Sequence, residues 1–453
     1  MQVKDEEALV EDLAAQCKPH DHCLIGVEHE AFIFSRQTQA PLPYDGERSI
    51  HALLSSLQRQ GWEGDYQREA LVGLKRDKAA ITLEPAGQLE LSGSPWPDLH
   101  GVYDEMRAHR QRLAKLSADM DLGVMALGFA PQWSRDAGEW MPHDRYHIMR
   151  RYMPRVGVHG LDMMRRCCAF QLNFDYQSEA DMAAKVRVAT ALQPLVMLAL
   201  ANSPFADGRD SGFSSYRNYV WLHTDSARCG VLPLALSPEL SFARYVRRAV
   251  EVPMYSVKRD DAHVDLAGRF FADMLNGRLP ELAGERPTLS DWRAHLNTLM
   301  FDVRLKERIE LRGNDTLPLE QSMALAAFWT GILYDESSLD AALAFIEGGE
   351  AAVFNELRHR LPSMTMSESS AVPVRGMYRA HSLGEALEYT LTLARAGLER
   401  RRKGNAHHTD ETIYLKPLEH LVEERQSPAE QWQAQCQRFG RLDLSPLLNA
   451  AGF

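Results

Sequence analysis

Two glutamates two residues apart, Glu28 and Glu30, stand in the middle of IGVEHEAFIF (25–34), whose apolar residues alternate as in a strand. On a strand they project from one face. Like charges side by side there are unfavourable unless something positive sits between them. Three further stretches repeat the pattern. In ITLEPAGQLELSG (81–93), Glu84, Gln88 and Glu90 share a face provided Pro85 leaves the register intact. In CCAFQLNFDY (167–176), Gln171, Asn173 and Asp175 lie opposite Phe170, Leu172 and Phe174. In FDVRLKERIELRGND (301–315), Arg304, Lys306, Glu310 and Arg312 lie opposite Val303, Leu305, Ile309 and Leu311. Any one such polar face is ordinarily a face turned to water. Four of them, three supplying acids and amides and one supplying arginine, make a concave acid cluster if the strands are neighbours. Carboxylates so gathered raise one another's pKa unless cations neutralise them. Hard divalent ions with oxygen ligands do so, and Mg²⁺ keeps positions open for substrate phosphates. The expectation is therefore more than one Mg²⁺ ion carrying nucleotide phosphates. The chain has neither GxxxxGK[ST] nor GxGxxG, so ATP would be held from a metal-lined sheet rather than a glycine loop. Arg312, Arg217 and either Arg145 or Arg150 are the cations available to clamp a carboxylate or to stabilise a transferring phosphoryl group. Taken singly, each arginine reads as a surface salt bridge.

The elements that must position these groups follow from periodicity. Helices are expected over 5–18, 49–60, 97–120 and 178–201, the last apolar enough to be central. GVMALGF (123–129) reads as a further strand. The stretch 130–160 is rich in Pro, Gly, Trp, Arg and Tyr and reads as a long irregular loop, which inside a compact domain is usually functional. From about 317 onward helical patterns dominate. Clean alternation with helices of mixed length between strands predicts an α+β fold with an antiparallel sheet. The expected organisation is a single catalytic domain over 1–453, with strands mainly within 24–315 and a mostly helical part at 317–453.

Composition narrows the function. The 453 residues carry a net charge of -11 with 25% charged and 45% hydrophobic residues. No basic block dominates, and LERRRKGNAHH (398–408) reads as a solvated helix end, so no nucleic-acid partner is expected. No run of about 18 apolar residues occurs, so no membrane span is expected. The start, MQVKDEEALVEDLAAQ, lacks a secretory pattern. Six cysteines, with Cys167 and Cys168 adjacent and no CxxC spacing, do not form a disulfide scaffold. The chain reads as cytoplasmic and mostly reduced.

The chain resembles the plant-type glutamate–cysteine ligases, also found in proteobacteria. The resemblance is carried by IGVEHEAF, PYDGER, ITLEPAGQLELSGSP, ALGFAPQW, MPHDRYHIMRRYMP, GLDMMRRCCAFQLNFD, SEADM, LQPLVMLALANSPF, VPMY, VRLKERIELRGND and ETIYLKPLEHLVEERQSPAE, in order from about residue 24 to 430. It implies an antiparallel sheet surrounded by helices, related to the glutamine synthetase catalytic fold. It also implies ligation dependent on ATP and Mg²⁺, the first step of glutathione synthesis: ATP phosphorylates the γ-carboxylate of glutamate, and the amine of cysteine attacks the acyl phosphate. By position in these motifs, Glu28, Glu30, Glu84, Glu90 and Glu310 resemble the ligands of about two or three Mg²⁺ ions, with Mn²⁺ a possible substitute. Gln171 and Asn173 resemble the floor near metal and substrate. Arg145, Tyr146, Met149 and Arg150, with Arg217 and Trp221, resemble the glutamate and amine pocket. Arg312 would meet the γ-phosphoryl group or the acyl phosphate, with Arg217 also at the reaction centre. The partners implied are small molecules, and the assembly a monomer or homodimer.

Three positions depart from the family pattern. Ala31 replaces the lysine of EHEKF, Ala86–Gly87 stands for a pair of glycines, and TLPLEQSM follows RGND where a Gly-Pro-Trp-like loop is usual. Ala86 would constrain a backbone position where glycine permits positive φ. These departures leave open a relative that joins glutamate to a different amine. A non-catalytic binding protein is the other alternative, against which the retained acids argue. The disulfide switching of plant members is not carried over to Cys17, Cys23, Cys167, Cys168, Cys229 and Cys436.

Overall fold

Alternation in the sequence becomes nine antiparallel strands hydrogen-bonded into one sheet in the computed structural model, which describes residues 2–260, 262–404, 409–438, 441–444 and 447. The strands are β1 (Ile25–Ser35), β2 (Glu63–Gln67), β3 (Ala70–Arg76), β4 (Ala79–Leu83), β5 (Leu89–Ser92), β6 (Leu122–Met125), β7 (Phe170–Phe174), β8 (Val303–Leu305) and β9 (Ile309–Leu311). Their order is β8-β9-β7-β1-β5-β4-β3-β2. Long β1 uses residues 25–31 to pair β7 on one side and β5 on the other, then pairs β6 with residues 32–35.

Two of the four alternating stretches prove to be hairpins rather than single strands. Residues 81–93 turn at Pro85–Gly87: Gly87 N–H donates to Glu84 O at 2.9 Å. Proline at the second turn position and glycine at the fourth are the usual chemistry of such a turn. Residues 301–315 turn between β8 and β9, which places Arg304 directly across from Glu310. A period of two looks the same on both arms of a tight hairpin, which is why the reversal was not legible. Strands β2 and β3 were not anticipated: β2 is polar, lies at the sheet edge and is nowhere buried.

Helix α1 (Leu99–Met120) is capped by Asp98, whose side chain accepts from Gly101 N, and stops at Asp121 in the left-handed region with φ 55°. The chain then enters β6. The stretch 130–160 is irregular only at first. It continues into α2 (Asp144–Val156), and α3 (Gly160–Arg166) follows. Pro154 and the Arg-rich composition had masked the helical period.

Helix α4 (Glu179–Ala199) starts at Ser178, whose side chain accepts from Asp181 N at 3.1 Å, with Glu179 and Asp181 in its first turn. Acids there complement the helix dipole. By length and composition α4 could cross a membrane, but 83% of its most apolar window is buried inside the protein. It packs with Ile25, Val27, Leu172, Phe174, Ile309 and Leu311 of the sheet and with α6 (Leu319–Leu333) in the largest apolar cluster. Beyond α6 the described residues are mostly helical, with a short strand pair of Gln437–Arg438 and Arg441–Leu442 among them. Between them, α5 (Tyr216–Leu222) carries Arg217 and Trp221.

Candidate active site

Strand register aligns the polar side chains in rows across the sheet. In the outermost row Arg304 pairs Glu310, Glu310 pairs Asn173, and Asn173 pairs Gly26. One step inward Gln171 pairs Glu28, and Glu28 pairs Ser92. A further step inward Glu30 pairs Glu90, and Glu90 pairs Thr82. Glu84 stands at the β4–β5 turn, its N–H donating to Gln88 O at 2.9 Å. The polar residues of the four stretches are thus brought to one face, as alternation predicts.

The amides hold the acids in place. Gln171 donates from Nε2 to Glu30 Oε1 at 2.9 Å, and Ala169 N–H donates to Glu30 Oε2 at 2.8 Å. Asn173 donates from Nδ2 to Glu28 Oε1 at 2.9 Å. Thr82 donates to Glu90 Oε2 at 2.6 Å. None of these donors carries a charge. Burial, then Glu84 and Glu90, push the Glu30 carboxyl well up, with Arg217 opposing. Burial, then Glu28 and Glu84, push Glu90 up to about 8. Burial also raises Glu84, while Arg145 and Arg312 pull it down. Glu28, Glu30, Glu84 and Glu90 are therefore gathered on the sheet face with no cationic side chain of the described residues at hydrogen-bonding distance.

Glu310 differs from the other four. It is fully buried, and Arg304 grips it with Nη2 at 2.8 and 2.7 Å and Nε at 3.0 Å. Lys306 Nζ reaches Oε2 at 2.7 Å and Arg312 Nη1 donates to Oε1 at 2.6 Å. These three cations outweigh the cost of burial and hold Glu310 well below the usual carboxylate range. In this arrangement Glu310 anchors arginines, and both of its oxygens are taken by them.

Arg312 also donates to Gln171 Oε1, and it feels Glu28 and Glu30 as well as Glu310. It stands where the acid rows meet the cation cluster. Arg217 lies behind it and is only 2% exposed. Its Nη1 donates to Gly313 O and its Nη2 to Arg312 O, both at 3.0 Å. Asp315 lies 4.0 Å from Arg217 and accepts from Asn202 N at 2.8 Å, Ser203 Oγ at 2.8 Å and Ser215 Oγ at 2.9 Å.

At the other end Arg145 sits beside the acids: it lowers Glu84 and Glu90, and it donates to Tyr146 Oη at 3.2 Å. Tyr146 is buried and donates to Leu83 O at 2.6 Å. Met149 and Trp221 are half-buried, and Trp221 lies under the Arg217 guanidinium at 5.6 Å. Arg150 is not drawn to the acids. Its guanidinium stacks on Trp140 at 4.9 Å, with Arg165 on the same ring at 4.8 Å.

Sequence reasoning missed the grip of Arg304 and Lys306 on Glu310, which a hairpin reading would have exposed. It also missed the Asp315–Ser203–Ser215 network, for which nothing in the local sequence is a signal. Cys17, Cys23, Cys167, Cys168 and Cys229 are free thiols. Burial drives the Cys167 and Cys168 thiols upward, away from nucleophilic use.

Among the described residues no three His, Cys, Asp or Glu side chains converge into a preformed cation cage. The donor set nevertheless fits Mg²⁺, which takes only a few protein carboxylates when phosphates and water complete its shell. The four acids are oxygen donors without a cationic partner at hydrogen-bonding distance, and Asn173 Oδ1 is buried with no hydrogen-bond partner.

An antiparallel sheet with an acid-rich face flanked by arginines can hold divalent cations with phosphates and clamp a carboxylate. The chain superposes on the glutamate–cysteine ligase of Francisella tularensis in complex with AMP with a TM-score of 0.55 at 12% identity, covering 95% of this chain and 88% of that one. A bifunctional glutathione synthetase from Pasteurella multocida gives 0.50 at 11% identity over 99% of this chain, which spans only 54% of that protein's length. These likenesses establish the fold. The model of glutamate-cysteine ligase family 2 matches residues 24–443, and the chain belongs to that family. It is 40% identical over 426 residues to the chloroplastic glutamate–cysteine ligase of Arabidopsis thaliana, covering 92% of this chain and 79% of that protein. The Brassica juncea chloroplastic enzyme is 42% identical over 399 residues, with 87% and 75% covered. The chain is an enzyme, a glutamate–cysteine ligase. These chloroplastic relatives overturn the expectation of a cytoplasmic protein. That expectation rested on reduced cysteines and the lack of a secretory pattern, neither of which separates cytosol from plastid.

Proposed function

We propose that the chain joins the γ-carboxylate of glutamate to the amine of L-cysteine at the expense of ATP, through γ-glutamyl phosphate, as the first step of glutathione synthesis. The observation that carries this reading is the uncompensated row Glu28, Glu30, Glu84 and Glu90 between Arg312 and Arg145. A carboxylate is a poor electrophile, and phosphorylation makes it reactive. Mg²⁺ ions held by these four acids would neutralise nucleotide phosphates. Arg312, fixed by Glu310 and by the Arg217 contacts to its backbone, presents positive charge that needs no reorganisation as the phosphoryl group transfers. Arg145 and Tyr146 hold the amino-acid end. The attacking nitrogen loses a proton and forms the amide bond as the carbon–oxygen bond to phosphate breaks.

The departures from the family pattern give no ground for an acceptor other than cysteine. Ala31 is buried on the apolar side of β1. Ala86 has an ordinary φ, and the positive value falls on Gly87 at 85°. Thr316 and Leu317 are fully buried, Thr316 bonding Glu30 O at 2.6 Å and Leu317 O accepting from His29 at 2.9 Å. None of the three faces the acids.

The test is phosphate release from ATP with Mg²⁺ and glutamate, with and without L-cysteine, and mass spectrometry of the product. Cysteine-dependent release with γ-glutamylcysteine as product is expected. Release unchanged by cysteine, with no such product, would overturn the acceptor assignment.

A further inference from the structure

Helix α7 (Ala351–Arg360) buries Phe354, Leu357 and Arg358 on one face. The arginine is 1% exposed and stands at a core position, where an apolar side chain would ordinarily pack. Its Nε donates to Asp302 Oδ2 at 2.5 Å and its Nη2 to Asp302 Oδ1 at 3.2 Å. The same Nη2 donates to Asn218 Oδ1 at 3.1 Å. Asp302 precedes β8, and its carbonyl accepts from Arg312 N at 2.8 Å. Asn218 follows Arg217 on α5, and Arg217 Nη2 donates to Arg312 O at 3.0 Å. These links close a ring that runs from Arg358 through Asp302, Arg312, Arg217 and Asn218 back to Arg358. Just beyond α7, Pro362 O accepts from Ser214 N at 2.8 Å and from Ser215 N at 3.1 Å, at the start of α5. The N–H and the C=O of Arg312 are thus held by two separate elements, and Arg358 joins those elements to each other.

We propose that Arg358 is a positioning residue for the ligation: it fixes α5 against the β8–β9 hairpin, so that the helical C-terminal part acts on the reaction centre through one buried guanidinium. The assignment rests on the reading of Arg312 at that centre. A buried ion pair is often no more stabilising than apolar side chains of similar volume, so stability is a weak reason for a charge at this core position. Direction is what the pair adds. The planar fork takes a carboxylate side-on and keeps a donor for a second acceptor, which a lysine ammonium cannot reproduce. Asn218 ties the α5 end of the ring back to the chain beyond Arg312: its Nδ2 donates to Ser215 Oγ at 2.8 Å, and Ser215 Oγ donates to Asp315 Oδ1 at 2.9 Å. Among the described residues neither Arg358 nor Asn218 donates to an acid of the sheet face, so both act through Arg217 and Arg312. A shift of α5 relative to the hairpin moves Arg312 through its own backbone, and a displacement of about 1 Å at a reacting group can lower a rate about a hundredfold.

The experiment uses Arg358→Lys, Asn218→Ala and their double variant in the full chain. Arg312→Lys is the reference for the reaction centre. Leu421→Ala, a core truncation in the C-terminal helices outside the ring, is the control for lost stability. Steady-state kcat and the KM values for glutamate and cysteine are measured well below each melting temperature. Arg358→Lys and Asn218→Ala should each lower kcat about tenfold and leave both KM values within about threefold. The double variant should fall no further than about twentyfold, because both changes cut one ring, whereas independent effects would multiply to about a hundredfold. Leu421→Ala should keep the wild-type kcat. Should Arg358→Lys fail to fold, Asn218→Ala carries the test, since it leaves the Arg358–Asp302 pair intact. A kcat within about twofold of wild type in the ring variants, or a loss no greater than that of Leu421→Ala, with Arg312→Lys inactive, would overturn the role of Arg358 and leave the reaction centre as read. A wild-type kcat in Arg312→Lys would overturn that reading and the proposal with it, so the two failures are distinguishable.

Discussion

Arg217 spans two consecutive peptide carbonyls, those of Arg312 and Gly313, at 3.0 Å each. The arginine expected at the reaction centre therefore fixes the backbone of another one. Its planar fork matches two adjacent oxygens, which a single ammonium cannot do. Arg217→Lys should lower kcat at least about tenfold with a small change in KM, because a misplacement of about 1 Å in a reacting group has a large effect on rate. Steady-state kinetics check this. A rise in KM with kcat intact would mean that Arg217 binds substrate directly.

Glu90 and Glu310 should respond to the same substitution in opposite ways. Glu90 is raised to about 8 by burial and by Glu28 and Glu84, so the folded state resists its ionisation. Glu90→Gln should abolish ligation and raise the melting temperature of the metal-free protein at pH 8. Glu310→Gln should abolish ligation and also destabilise, by about 3–5 kcal/mol, because it leaves the buried Arg304 without its counter-ion. Denaturant unfolding of both variants decides the matter. Equal stability would refute the division between cation site and anchor.

Backbone geometry at the β4–β5 turn yields a paired test. Gly87 has φ 85°, and a Cβ there would meet Ile50 Cγ1 at 3.2 Å. Gly87→Ala should cost about 1–2 kcal/mol and shift Glu84 and Gln88, with activity falling accordingly. Ala86→Gly, which restores the family residue, should leave kcat and both KM values within twofold.

Acid stability should be limited by buried histidines remote from the acids. Burial, with Arg228 nearby, lowers His295 to about 4, and burial, with His29 and Arg112, lowers His109 to about 3. Unfolded, both titrate near 6.5, so between 6.5 and those values the unfolded chain binds more protons. Stability is fully present above pH 6.5 and falls as pH drops toward 4, by up to about 1.4 kcal/mol per pH unit for each histidine. Urea unfolding from pH 7.5 to 4.5 measures the slope. His295→Gln should flatten it, and an unchanged slope would remove His295 as a cause.

The polar face was legible because alternation and residue type are local properties. Glu28 with Glu30, and Gln171 with Asn173, need only a strand to share a face. The partnership of Arg304 with Glu310 was not legible, since it depends on a reversal that three residues of turn, 306–308, conceal within an unbroken alternation. Likewise α2 was hidden by Pro154 and by a composition that favours loops.

The sequence by itself determined that acids and amides gather on one side of a sheet, that the other side is core, and which family the chain resembles. Only the tertiary structure decided which acid is neutralised. Glu310 sits among three cations of the β8–β9 hairpin and the residue that follows it, Arg304, Lys306 and Arg312, whereas the hydrogen bonds to the Glu28, Glu30 and Glu90 carboxylates come from uncharged donors. The tertiary structure alone moved Arg217 behind Arg312, and it alone brought Arg358 to Asp302 and Asn218. The reason is physical: alternation fixes the side of a strand on which a residue stands, but charge compensation acts over a few ångströms in space. Register and hairpin closure set those distances.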